Sequence, residues 1–188
     1  MKIKGFEMKT EGVYEPREDS FLLAEAVEKE ARGEVLDVGT GSGLQALIAS
    51  RKAERVTGVD LNEKAVKIAE INAKKNNVKN AVFRVSDLFE RVSGRFDLVI
   101  FNPPYLPEEL KMKGSEQWAG GKTGREIIGK FASELKVHMK EDGKALMVIS
   151  SLTGLKEVKE IFEKLDLSVR IVKEKKIPWE ILYVLEIR

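Results

Sequence analysis

Val35-Leu36-Asp37-Val38-Gly39-Thr40-Gly41-Ser42-Gly43-Leu44 decides the fold. A short β-branched run passes into a glycine-rich turn, and an apolar segment of helical period follows, which reads as strand, turn and helix. The same alternation continues to the end of the chain, as expected of βαβ units on a parallel sheet. Strands are expected over residues 34–38, 55–60, 81–85, 96–101, 145–150, 168–175 and 181–187, and helices over 20–31, 44–52, 63–76, 125–140 and 154–164. Asp19 or Ser20 and Asn62 stand where helix N-caps belong. Ile177-Pro178-Trp179 is too short for a parallel crossover, so the last two strands should form an antiparallel hairpin. The expected fold is therefore α/β, a Rossmann-like doubly wound, seven-stranded and mostly parallel sheet with helices on both faces.

Composition narrows the chemistry. The 188 residues, 43% of them apolar, suit one domain with one sizeable core. There is no cysteine and the sole histidine is His138, so neither a disulfide nor a zinc site of the usual Cys/His type can be assembled, and no metal is expected. Lysine and arginine number 33 against 31 acids, spread along the chain. That spread argues against stable nucleic-acid binding, which needs several phosphates neutralised on one face. No apolar run reaches the roughly 18 residues of a membrane span, and the N-terminal segment lacks an apolar signal core, so a cytoplasmic protein is expected. High Lys and Glu content without cysteine is thermophile-like.

The glycine turn alone is a weak signal, and a dinucleotide fingerprint would need glycine where Leu44 stands. Asp37 at its mouth would repel a pyrophosphate but attract the ammonium group of a methionine moiety, which favours S-adenosyl-L-methionine over NAD. Asp60 ends the second strand, placed to accept from vicinal ribose hydroxyls, or else to cap the helix near Asn62. Asp87 ends the third, where it could accept from an adenine amino group while the Leu88 N–H donates to the ring; the alternative is a loop-capping acid. Three acids at successive strand ends beside one glycine turn are more specific than any one of them.

The fourth strand runs into Asn102-Pro103-Pro104-Tyr105. An amide or exocyclic amine nitrogen is a poor nucleophile because its lone pair is delocalised. The Asn102 side-chain oxygen and the Pro103 carbonyl can accept its two N–H groups, and Tyr105 offers a face for stacking. Positioning then replaces a strong base, because the proton leaves after the nitrogen has become cationic.

On these motifs the chain resembles the HemK-type protein-glutamine methyltransferases, which modify the Gly-Gly-Gln loop of peptide-chain release factors, and most resembles their archaeal and eukaryotic branch. Val13-Tyr14-Glu15-Pro16-Arg17-Glu18-Asp19-Ser20 matches that branch's leader motif. The resemblance implies a leader and helix over residues 1–33 covering the cofactor, with Tyr14 in it, and a methyltransferase core over 34–188. It implies Ser20 and Asp37 at the methionine end, Gly39, Gly41 and Gly43 in the turn against the cofactor, Asp60 at the ribose, and Asp87 and Leu88 at the adenine. Asn102, Pro103, Pro104 and Tyr105 would hold the target amide, and Asn102 would also belong to the cofactor site.

It also implies a heterodimer with a small zinc-binding activator that adds a strand to a sheet edge. Residues 81–85 are the candidate edge, with a short edge blunted by Arg84 as the alternative. The Asn-Pro-Pro-Tyr motif is shared with enzymes that methylate adenine or guanine amino groups of DNA or RNA, which is the second reading of function. Trp179 is expected to pack, and His138 to be a partly exposed helical residue. Residues 103–124, with three prolines, four glycines and Trp118, read as a long functional loop.

Overall fold

A computed structural model describes residues 1–105 and 123–188, so the expected long loop and Trp118 lie largely outside the described residues. Two short strands, β1 (Lys2–Ile3) and β2 (Phe6–Glu7), pair antiparallel ahead of α1 (Glu18–Glu30), an addition that two-residue strands do not announce in sequence. Then follow β3 (Glu34–Val38), α2 (Leu44–Ala49), β4 (Arg55–Asp60), α3 (Glu63–Lys75), β5 (Ala81–Val85) and β6 (Phe96–Phe101). Beyond the undescribed residues come α4 (Glu126–His138), β7 (Met139–Ser150), α5 (Leu155–Glu163), β8 (Val169–Ile177) and β9 (Glu180–Ile187).

The seven-stranded sheet has the order β5-β4-β3-β6-β7-β9-β8, parallel except where β9 pairs with β7 and β8. The expected fold, the edge position of residues 81–85 and the closing hairpin are all present. Alternation along β3 sends Val35 into one core with Leu23 of α1 and Leu47 of α2, and Leu36 into another with Phe131 of α4 and Phe162 of α5. Helices thus cover both faces, as strands apolar on both sides require.

Three expectations change. The first helix is capped at Arg17, with no side-chain cap bond, so Asp19 and Ser20 lie inside its first turn; Asn62 does cap α3, accepting from the Lys64 N–H. β7 starts six residues early because Met139 pairs with Phe96 ahead of a register shift, in a stretch too polar to show a strand period. Trp179 does not pack: the Pro178-Trp179 turn between the paired Ile177 and Glu180 leaves it 96% exposed. His138 ends α4 half-buried, stacked on Phe89 at 4.6 Å between ring centroids. Among the described residues no helix is long and apolar enough to cross a membrane.

The leader is tied to the core through polar side chains. Buried Asn72 of α3 accepts from the Lys9 N–H at 2.8 Å and donates to the carbonyls of Lys9 and Ser42, linking leader, helix and glycine turn.

Candidate active site

Chain order along the sheet reverses between β3 and β6, and ligands of open α/β sheets bind at the carboxyl ends of strands flanking such a point. Val38 pairs with Phe101, so the two chains leave the sheet side by side as Gly39 and Asn102. A crevice of about 460 Å³ opens there. Of the expected site residues, Tyr14, Ser20, Gly39, Gly41, Asp60, Asp87, Leu88, Asn102, Pro103, Pro104 and Tyr105 all line it.

Gly43 shows why this turn needs glycine. Its φ is +84°, and a Cβ there would sit 3.0 Å from the Ala69 Cβ of α3, so any side chain would push α3 away from the start of α2. Gly43 supports the turn without being one of the residues that line the crevice.

Asp37 also stands behind the turn rather than at its surface, and is not among the lining residues. Its carboxylate accepts from the Thr40 hydroxyl at 2.6 Å and the Ala46 N–H at 3.1 Å, joining the turn to α2. Burial pushes this carboxyl up to about 7 against those hydrogen bonds. Asp60 joins the turn to α3, accepting from the N–H groups of Gly41 and Asn62, both at 2.9 Å; burial raises its pKa and these bonds oppose the rise. Ribose contact and helix capping are therefore compatible for Asp60, since two accepted bonds leave lone pairs on the carboxylate. Leu88 lies beside half-buried Asp87 with φ +44°, over a Ser86 hydroxyl that donates to the Leu88 carbonyl.

Asp19, only 4% exposed, gathers donors from the leader and from the Asn-Pro-Pro-Tyr segment. It accepts from the Tyr14 hydroxyl at 3.0 and 3.1 Å, the Ser20 N–H at 2.6 Å, the Ser20 hydroxyl at 3.2 Å and the Asn102 Nδ2 at 3.2 Å. Burial first, then the Asp19 charge, push both tyrosine hydroxyls far up, so they remain protonated donors. The Tyr105 carbonyl is held by the Thr153 hydroxyl at 3.0 Å.

Among the described residues, two buried acceptors of the crevice lining have no donor: Asn102 Oδ1 and Gln45 Oε1. Gln45 Nε2 donates to the Ser20 carbonyl at 2.9 Å. Buried polar atoms are normally satisfied, so unpartnered oxygens in a crevice mark where a ligand's donors belong. Sequence reasoning took Asp19 for a cap and passed over Gln45. The available signals were an acid inside the leader motif, and a lone polar residue in the otherwise apolar Leu44–Ala49 helix.

Residues 12–177 match the methyltransferase small domain family. A putative protein N5-glutamine methyltransferase of Methanocaldococcus jannaschii is 43% identical over 191 aligned positions, covering 98% of this chain and 96% of that protein. A release factor glutamine methyltransferase of Koribacter versatilis is 38% identical over 71% of this chain, which spans 54% of that longer protein. Among solved structures, the E. cuniculi Mtq2-Trm112 complex, described as responsible for methylation of the eRF1 translation termination factor, superposes with a TM-score of 0.74. There the identity is 28%, over 93% of this chain and 97% of the other.

Proposed function

This chain belongs to the methyltransferase small domain family, and from that premise we propose that its crevice methylates the side-chain amide nitrogen of the glutamine in the Gly-Gly-Gln loop of a peptide-chain release factor. It is an S-adenosyl-L-methionine-dependent methyltransferase of the HemK type. The observation that carries the reading is the buried, unpartnered Asn102 Oδ1 at the end of the strand next to the glycine turn. An acceptor kept free at that point suits a target that brings its own N–H.

The crevice residues fit the donor. Asp60 and Asp87 offer carboxylate lone pairs at neighbouring strand ends, and Gln45 Oε1 offers a buried acceptor to an ammonium N–H. When bound, S-adenosyl-L-methionine supplies a methyl group made electrophilic by its sulfonium. The protein's own part is placement. The Asn102 oxygen and the Pro103 carbonyl hold the two amide N–H groups, Pro104 keeps the backbone stiff, and the Tyr105 ring stacks on the amide plane. Asp37, from behind the turn, favours a cation on its far side through charge rather than contact. Residues 1–33 act as a cover over the donor, through Tyr14 and Ser20 on the crevice wall.

By the same proposal a small zinc-binding activator docks at β5 as partner, and both act in the cytoplasm, where translation terminates. β5 pairs only with β4 among the described strands, and Val82 on it is 45% exposed. Exposed apolar edge strands invite pairing by another chain.

The test is incubation with labelled donor and purified release factor. One added methyl on the Gly-Gly-Gln glutamine, located by mass spectrometry, is the expected result. Label that nuclease removes from a cell extract would instead move the reading to a nucleic-acid amine.

A further inference from the structure

We propose that Asp19 is a positioning residue which sets the end of the Asn102 amide that meets the target, an inference that rests on the glutamine-amide reading above. The two ends of a carboxamide have nearly the same shape and opposite hydrogen-bonding sense. Only the oxygen end can receive a target N–H; reversed, the side chain would set N–H against N–H. Something must choose between the two states before the target arrives.

The choice is made 83 residues away in sequence. Asn102 Nδ2 lies 3.2 Å from Asp19 Oδ2 and 3.2 Å from Ser20 Oγ. A carboxylate only accepts, so the end facing Asp19 has to be the NH2 group. A hydroxyl could serve either end, but that of Ser20 donates to Asp19 Oδ1, which leaves its lone pairs for Asn102. Asp19 therefore decides the orientation twice, directly and through Ser20. Its own placement is fixed by the Tyr14 hydroxyl, the Ser20 N–H and the first turn of α1, where negative charge is favoured. Asn102 Oδ1 is left as the free, buried acceptor.

Asp19→Asn keeps the size of the side chain but lets it donate, so both orientations of Asn102 become allowed. The variant should lose about 10²-fold in kcat, as misplaced donors and acceptors do. The Kd for S-adenosyl-L-methionine by calorimetry and the KM for the release factor should change less than about threefold, the pattern of an interaction needed in the transition state. The exchanged pair Asp19→Asn with Asn102→Asp restores a donor facing a carboxylate, and should turn over faster than either single variant. Losses that simply multiply would overturn the proposal. So would a weaker donor Kd with kcat intact, which would make Asp19 a donor ligand, or a lowered Tm with unchanged kinetics.

A further readout needs neither substrate nor donor. The Asn102 side-chain NH2 resonances, assigned by their loss in Asn102→Asp, should exchange slowly with solvent in the native protein and fast in Asp19→Asn. Fast exchange in the native protein overturns the proposal. If the native protein methylates no release factor, the functional reading falls, while these resonances still decide the positioning.

Discussion

Replacing Asp37 by Asn should remove a pH-dependent weakness from the core. The carboxyl is buried behind the glycine turn and pushed up to about 7 from an ordinary 3.8. Its folded-state pKa lies above the unfolded one, so the folded protein binds more protons between these values. Stability must then fall as pH rises from about 4 to 7 and level off above that. A difference of that size corresponds to about 4 kcal/mol. Asn retains an oxygen for the Thr40 hydroxyl and the Ala46 N–H but does not titrate.

The two proteins share every other titrating group, so the difference between them isolates Asp37. Thermal unfolding without donor, followed from pH 4 to 8, should show the variant gaining about 4 kcal/mol on the native protein across the range. For a chain this long that is roughly 10 °C in Tm. Saturating S-adenosyl-L-methionine should shrink the effect, because its ammonium group favours the charged carboxylate. A difference that stays constant with pH would refute the reasoning, and the carbon-13 shift of the Asp37 carboxyl would then be expected to titrate near its ordinary value.

Asn102→Ala should cut methyl transfer by about 10²–10³-fold, the usual loss for a missing transition-state hydrogen bond, while calorimetry finds donor binding largely intact. Glu186 is pushed up by burial, but hydrogen bonds from Arg170, Arg188 and Lys144 outweigh this and hold it at about 2. Its folded pKa is depressed, so its contribution is present above about 4.5 and is lost as pH falls toward 2. Glu186→Gln should flatten that acid limb in thermal melts. Trp179, exposed and held at φ +72°, carries left-handed strain without packing in return. Trp179→Asn should raise stability by about 1 kcal/mol in urea titrations, since asparagine tolerates this conformation better.

The local pattern carried most of the architecture. Periods of two and of about 3.6, with glycine and proline as punctuation, placed all seven main strands and the closing hairpin, because local backbone preference and burial agree along those segments. It also brought the acids Asp60 and Asp87 and the Asn102–Tyr105 motif to strand ends, which is where the sheet needs them for one crevice. Only the tertiary structure decided what those residues face. Whether Asp37 touches the crevice or stands behind it depends on how the turn packs on α2, and Asp19 reads as a helix cap until Asn102 is brought beside it from 83 positions away. Sequence patterns report what a residue does to its own segment. The partner of a buried polar side chain is fixed by the crossing of distant segments, and no period along the chain records it.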